Sequence, residues 1–344
     1  MLKKILPLIT LAGLIWAVPS ARAQSEKRKA ASKSREEITQ QGAIELWRAP
    51  DDISRRDLFY GSGGKDHAPH SSYIFVKEDM NGTNPKFHVR DENDVKWRVK
   101  LGTEARPEPA ASRLLWAAGY STNEFYFLPE LTVKDLPGHL RRGGNLVGPG
   151  GTMRNVDMKR LEKNEKKVSI WRWRHNPFFG SREFNGLRVM MALMNNWDLK
   201  DDNNEVYEVV NAGKREYIYR VSDLGASFGS SGPSWTSEMA KGNVRSYERS
   251  RFIGKVTSDY VDFDFPTRPA LKYIFNPPAF ISHLRQRWIG RHIPRQDARW
   301  VGNLLAQLSP EQIRDAFRAG GFSPNDVEAY THVVEGRIRE LNGL

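Results

Sequence analysis

The sequence predicts an α+β protein in which a small β-rich part (residues 43–130) precedes a larger, mainly helical part (131–344). Three observations support this order. Short runs of β-branched and aromatic residues alternate with turn residues between positions 43 and 101. Apolar residues then recur at helical spacing. Towards the carboxyl end, helix start signals occur twice.

The composition is that of a globular protein. The 344 residues are 39% hydrophobic and 27% charged, which excludes a polytopic membrane protein and a wholly disordered chain. Cysteine is absent, so disulfides, thiolate nucleophiles and cysteine-ligated metal sites are excluded. The formal net charge of +12 suggests anionic partners such as nucleotides, phospholipids, polysaccharides or nucleic acid, without choosing among them.

Residues 1–23 have the form of a secretory signal peptide. A short positive segment, Met1–Lys4, precedes a charge-free apolar run, Ile5–Val18, and Ala21–Ala23 has the small-x-small pattern that signal peptidase cleaves. A run of about 14 apolar residues is short for a membrane anchor. We therefore expect export to the periplasm or the extracellular space, with a flexible polar leader at 24–42.

The β-rich part is predicted to contain at least three strands and one helix. The strands are Tyr73–Val76, Lys86–Val89 and Trp97–Lys100, and the last two are predicted to form a hairpin. Pro107–Gly119 follows as a helix, because proline opens it and glycine closes it.

The second part is predicted to combine helices with one hairpin. Apolar residues in Ser181–Met194 recur every three or four positions, which is typical of a helix with a core-facing side. Val206–Val210 and Tyr217–Val221 are separated by turn residues and predict a hairpin. Serine followed by proline marks two further helix starts, at Ser309 and at Ser323.

The residues that suggest chemistry lie on both sides of that hairpin. Asp198, Lys200 and Asn203 stand at positions i, i+2 and i+5 before it, and Asp223-Leu224-Gly225 follows it. A carboxylate such as Asp198 can orient a hydroxyl group and accept its proton. Asn203 and Asp223 offer the hard oxygen ligands that Mg²⁺ prefers. Lys200 could neutralise charge on a transferred phosphate.

This pattern resembles the protein-kinase-like superfamily, whose catalytic loop ends in D-x-x-x-x-N and is followed by a hairpin and D-F-G. Asp198 to Asn203 matches the first motif, and Asp223 to Gly225 matches the second with leucine in place of phenylalanine. Asn196-Trp197 stands in place of H-R, and no A-P-E follows. The resemblance is therefore to atypical branches, such as phosphatidylinositol kinases and secreted casein-kinase-like enzymes, and it implies a bilobal kinase-like fold.

The resemblance extends upstream to the β-rich part. Val95–Gly102 looks like the strand that carries the ATP-contacting lysine, and Lys100 matches that lysine best. The implied role of Glu108, in the following helix, is to pair with Lys100 and hold it on the α- and β-phosphates, with Glu104 as the rival. The glycine-rich segment Tyr60–Lys65 could cover phosphates with its backbone amides or form a plain surface turn.

The function implied by the resemblance is an ATP-dependent phosphotransferase that uses Mg²⁺ or Mn²⁺, with a protein, lipid or glycan as acceptor. The implied roles fall into three pairs: catalysis by Asp198 and Lys200, nucleotide binding by Lys100 and Glu108, and metal binding by Asn203 and Asp223. Two alternatives stay open. One is an inactive kinase-fold binding module of the cell envelope, and the other is a nucleotidyl transferase on the same scaffold.

Other motifs favour simpler interpretations. His67 and His70 could ligate a metal, but the sequence identifies no third ligand, so two surface histidines are favoured. The arginine-rich stretch 285–299 favours a solvated face, with contact to anionic envelope components as the alternative, and nucleic acid is not favoured as a partner. Gly225–Gly229 matches the G-x-S-x-G of hydrolases, but the loop residues Ser230–Pro233 follow it where a helix is required.

Overall fold

The computed structural model describes residues 42–70, 72–81, 84–229, 241–264 and 284–344. The predicted signal peptide lies outside these residues, as does the predicted leader apart from Gly42. Within the described ranges, no helix combines the length and the apolar composition needed to span a bilayer. Residues Ala43–Leu344 group into one compact unit.

The strands and helices are numbered in chain order. The strands are β1 Ala43–Glu45, β2 Tyr73–Asp79, β3 Lys86–Asp91, β4 Lys96–Leu101, β5 Phe125–Lys134, β6 Thr152–Leu161, β7 Glu165–Ile170, β8 Asn204–Asn211, β9 Lys214–Val221, β10 Ile253–Val256, β11 Tyr260–Phe263 and β12 Ile293–Pro294. The helices are α1 Pro107–Ala117, α2 Arg182–Leu193, α3 Val244–Glu248, α4 Arg295–Leu305, α5 Pro310–Ala319 and α6 Pro324–Asn342.

The first half of the described chain is built around a closed barrel with strand order β2-β3-β4-β6-β5. Side chains alternate between the two faces of each strand, so one face fills the barrel with apolar groups such as Trp97, Val99 and Met158. The opposite face of β4 and β6 carries charged residues. The three predicted strands and the hairpin of β3 with β4 are confirmed.

The barrel continues beyond the lobe boundary that the sequence predicts at residue 130. β5 passes through that position, and β6 pairs with β4 on one side and with β5 on the other. The β-rich part therefore reaches Leu161. Asp157 and Lys159 interrupt the apolar run of β6, and they face Lys100 and Arg98 across the ladder with β4. A strand with this many charges does not stand out as a hydrophobic run.

Helix α1 confirms the helix predicted at Pro107–Gly119, and it packs against β5 and α5. Proline occupies its first turn, where the missing N–H has no helical partner to lose. Glu108 lies in the same turn and is completely buried. The start of α1 therefore presents a carboxylate to the end of β4.

The second half combines helices with two sheets, of order β1-β9-β8-β7 and β10-β11-β12. The predicted helix at Ser181–Met194 is confirmed as α2, with the Ser181 hydroxyl accepting from the backbone N–H of Phe184. All of α2 from Phe184 to Leu193 is buried, rather than one face alone. The predicted hairpin is confirmed as β8 and β9, which pair in register.

Both carboxyl-terminal helix starts are confirmed. The Ser309 hydroxyl accepts from the N–H of Gln312, and the Gln312 side chain accepts from the N–H of Ser309, which completes a capping box for α5. Ser323 caps α6 by accepting from the N–H of Asp326.

Arg337 in α6 anchors the segment that leads to the predicted catalytic loop. The side chain is only 2% exposed. Its Nη1 donates to the Leu193 carbonyl at 2.7 Å and to Asn195 Oδ1 at 2.9 Å, and its Nη2 donates to Ser250 Oγ at 2.7 Å. The guanidinium lies 4.1 Å from the centre of the Tyr247 ring. One buried cation therefore joins α6 to the end of α2.

We expect Arg337→Met to lower the free energy of unfolding by about 3 kcal/mol or more, because it leaves several buried acceptors without a donor. Chemical denaturation measures this change. Arg339→Met, at an exposed position of the same helix, is the matched control and should change the stability little. Equal stability of the two variants would contradict the anchoring role.

Candidate active site

Lys100, near the end of β4, lies at the centre of a cluster of carboxylates. Its side chain is buried, and its Nζ lies 2.5 Å from Glu104 Oε2, 2.7 Å from Glu108 Oε2 and 3.5 Å from Asp223 Oδ1. The structure thus brings Lys100, Glu108 and Asp223 together from β4, α1 and the segment after β9. The sequence leaves Glu104 and Glu108 as alternatives for the partner of Lys100, and in the structure both contact the lysine.

The carboxylates keep Lys100 charged although it is buried. Burial alone would lower the pKa of Lys100, but Glu108, Asp223 and Glu104 outweigh it and raise that pKa well above its ordinary value. For Glu104, burial opposes ionisation, yet Lys100 and Lys241 lower its pKa to about 2. The Lys100–Glu104 pair is therefore ionised throughout the physiological pH range.

Glu104 is held by residues from two other segments. Asn84, in the loop between β2 and β3, donates to Glu104 Oε2 at 2.6 Å, and Lys241 Nζ donates to Oε1. Gly225 lies against the same side chain, because a Cβ at this position would come within 2.6 Å of Glu104 Cβ. The glycine after Asp223 therefore gives Glu104 the room to reach Lys100.

The predicted catalytic loop is tied to the segment that carries Asp223. Asn203 Nδ2 donates to the Asp198 carbonyl at 2.7 Å, and the N–H of Ser222 donates to the Asn203 carbonyl at 2.7 Å. Lys200 Nζ lies 2.7 Å from Asp198 Oδ1. The Asp198 side chain is 19% exposed and that of Lys200 is 50% exposed, so both are accessible from solvent.

The carboxylates of Glu104, Glu108 and Asp223 could hold a cation, since their oxygen atoms lie within 4.8 Å of one another. Asp223 is 36% exposed, whereas the two glutamates are nearly inaccessible. The sequence predicts Asn203 and Asp223 as the metal-binding pair. Asn203 donates through Nδ2, which leaves Oδ1 as its atom for a cation. Oxygen donors of this kind fit a hard divalent ion.

Sequence reasoning assigned no role to a buried polar network beside Lys100. Asp157 is fully buried next to Glu108, and burial together with that glutamate raises the pKa of Asp157 well above its ordinary value. Lys159 Nζ donates to the Tyr207 hydroxyl at 2.8 Å, and that hydroxyl donates to Glu205 Oε2 at 2.6 Å. The alternation of Asp157 and Lys159 with apolar Val156 and Met158 in β6 is the signal that could have revealed this network.

Two motifs from the sequence do not join the site. The glycine-rich segment Tyr60–Lys65 turns against Arg113 and Glu124, and a Cβ at Gly61 or Gly63 would collide with these side chains. It is the loop before β3, through Asn84, that reaches the carboxylate cluster. Ser227, the candidate hydrolase nucleophile, is completely buried, and the structure supports no such role.

Comparison with known proteins gives distant structural similarities. No family model and no curated protein matches the chain. The Helicobacter pylori proinflammatory kinase CtkA is 12% identical, with a TM-score of 0.44 over 80% of this chain and 97% of that one. A Golgi casein kinase is 11% identical, with a TM-score of 0.30 over 96% and 95% of the two chains. Its structure with Mn/ADP bound is 10% identical, with a TM-score of 0.33 over 94% and 91%.

The architecture of the chain itself is kinase-like. A barrel strand bears Lys100, the helix after it bears the paired Glu108, and a loop, hairpin and Asp223 follow in the order that the resemblance predicts. The described residues form a kinase-like α+β fold.

The buried amine of Lys159 should make the stability of the protein depend on pH. Burial and the nearby Arg98 lower its pKa from 10.5 to about 7. Between pH 7 and pH 10 the unfolded chain therefore binds more protons at this residue, so its contribution to stability rises with pH, by up to about 1.4 kcal/mol per pH unit. We expect chemical denaturation at a series of pH values to show that the free energy of unfolding rises less steeply with pH for Lys159→Met than for the unaltered protein.

Lys166→Met is the matched control, because this lysine is exposed on neighbouring β7. It should leave the pH dependence of stability unchanged. The same pH slope in Lys159→Met and in the unaltered protein would show that Lys159 is not the group responsible.

Proposed function

We propose that this protein is an atypical kinase-like phosphotransferase that uses ATP and a divalent cation. One observation carries the proposal: buried Lys100 pairs with Glu108 and faces Asp223, while Asp198 lies on a loop tied to the same segment. These are the charged groups that phosphoryl transfer needs on the donor side and on the acceptor side.

Lys100 and Glu108 would act on the nucleotide. The ion pair with Glu108, at 2.7 Å, fixes the ammonium group of Lys100 before any ligand enters. Asp223 Oδ1 lies 3.5 Å from the same ammonium group, and phosphate oxygens could take its place with little reorganisation of the lysine. Asp223, Asn203 and Glu104 have the oxygen donors for Mg²⁺ or Mn²⁺. The cation would supply neutralising charge to the phosphate oxygens.

Asp198 and Lys200 would act on the acceptor. Asp198 would orient an acceptor hydroxyl and take up its proton. Its partly exposed carboxylate and the hydrogen bond from Asn203 to its carbonyl support this role. Lys200 lies beside it and could meet negative charge on the transferred group. The acceptor class, whether protein, lipid or glycan, is left open by this arrangement.

We also propose an exported location, on the strength of the signal-like segment Met1–Ala23. Cleavage after Ala23 would make Gln24 the first residue of the mature protein, and amino-terminal sequencing of the secreted or periplasmic product tests this. In that location the arginine-rich stretch 285–299 could contact anionic envelope components.

We expect Asp223→Ala to abolish cation-dependent nucleotide binding, because it removes the exposed carboxylate of the cluster. Thermal unfolding with and without ATP and Mg²⁺ or Mn²⁺ is the measurement. A ligand at a hundred times its dissociation constant adds about 2.7 kcal/mol of stability. Asp202→Ala, at an exposed acid of the catalytic loop, should keep the full shift. An unchanged shift in Asp223→Ala would refute the site.

We expect Asp198→Asn to keep nucleotide binding but to lower the transfer rate about 10²- to 10⁴-fold, because it removes the proton acceptor. Parallel assays with γ-labelled and α-labelled ATP measure transfer. Incorporation of the γ-label alone supports phosphoryl transfer, whereas incorporation of the α-label would establish nucleotidyl transfer. Binding without incorporation of either label, across protein, lipid and glycan acceptors, would instead support a binding module.

A further inference from the structure

A polar cavity of about 490 Å³ lies away from the candidate active site. It is bordered by the segment before β2, the start of β5 and the link between β6 and β7. Lys100, Glu108, Asp198 and Asp223 are not among its lining residues. Any ligand of this cavity is therefore separate from the nucleotide site proposed above.

Three metal-ligating side chains converge in this cavity. His67 Nδ1 lies 2.9 Å from Glu124 Oε2 and 3.9 Å from Glu162 Oε1. The potential ligand atoms of all three residues lie within 4.8 Å of one another. The sequence alone identifies no third ligand for His67 and His70, because Glu124 and Glu162 follow His67 by 57 and 95 positions, next to the ends of two barrel strands.

Two arginines that line this cavity form ion pairs with acids other than Glu124. Arg220 binds Glu165 through two hydrogen bonds, and Arg160 Nε lies 2.5 Å from Glu162 Oε1. Over the described ranges, the ion-pair partner of Glu124 is His67 alone, a residue that is charged only when protonated. The arginine beside Glu162 does not exclude a metal, because carboxylate ligands are usually hydrogen-bonded by a neighbouring group.

Asn123 provides an independent indication of a ligand. It lines the same cavity and is 2% exposed, yet neither Nδ2 nor Oδ1 has a hydrogen-bond partner within the described residues. Buried amides nearly always have partners, so an unpartnered one beside a polar cavity points to a missing polar ligand or its bound water.

We propose that His67, Glu124 and Glu162 form a binding site for a transition-metal cation such as Zn²⁺ or Mn²⁺. One imidazole with two carboxylates is a donor set that suits these ions, and it leaves positions for water. The unpartnered amide of Asn123 would donate a hydrogen bond to such a water through Nδ2 or accept one from it through Oδ1. Bound metal joins the segment before β2 to both barrel strands that flank the cavity, so its effect is on stability.

The test is thermal unfolding of the mature protein without nucleotide, in EDTA and then with ZnCl₂ or MnCl₂, together with metal analysis after dialysis. We expect a metal-dependent rise in Tm of about 5 °C or more at a hundred times the dissociation constant. Glu124→Gln and His67→Ala should each lose this rise and the bound metal, when each variant is compared with its own EDTA sample.

His70→Ala is the matched control, because it removes an exposed histidine three positions along the same segment and should keep the full rise. Asp223→Ala should keep it too, which separates this site from the nucleotide site. The same rise in Glu124→Gln or His67→Ala as in the unaltered protein would overturn the assignment, as would the absence of any rise with either metal.

Discussion

The buried charge of Lys100 is the constraint on which the rest of the structure depends. Taking an ammonium group out of water is costly unless it is paired, and removal of one partner of a buried pair typically costs about 3–5 kcal/mol. β4 can therefore end where it does only if the turn after it and the start of α1 each bring a carboxylate, Glu104 and Glu108, within reach. The orientation of α1 brings Glu108 to the lysine. Gly225 leaves room for Glu104, and Asn84 holds Glu104 by a hydrogen bond.

The second half of the chain is organised around the loop that carries Asp198. Helix α2 is buried along its length, and its end is held by Arg337 from α6, so the start of the loop has a fixed position. The end of the loop enters β8, whose partner β9 leads directly to Asp223. Asp198 and Asp223 are thus separated in sequence but are carried by one hairpin, and backbone hydrogen bonds fix their relation.

Much of this could be predicted from the sequence, and the failures have physical reasons. Strand-forming runs and turn residues predict β3, β4 and the β8–β9 hairpin, and proline and glycine signals predict α1, because each reflects a local preference. β6 was not located, because its outward side chains are charged and pair with β4 rather than with water. The motif predicts the ion pair of Lys100 with Glu108. The second ion pair, of Lys100 with Glu104, depends on contacts of Glu104 with Gly225 and Lys241, which are distant in sequence.

The partners of Lys100 differ greatly in their distance along the chain. Glu104 and Glu108 lie four and eight residues away, whereas Asp223 lies 123 residues away and makes the longest of the three contacts, at 3.5 Å. Loss of the Asp223 contact alone would leave the lysine paired with both glutamates. A ligand can therefore displace Asp223 without leaving an uncompensated cation in the protein interior.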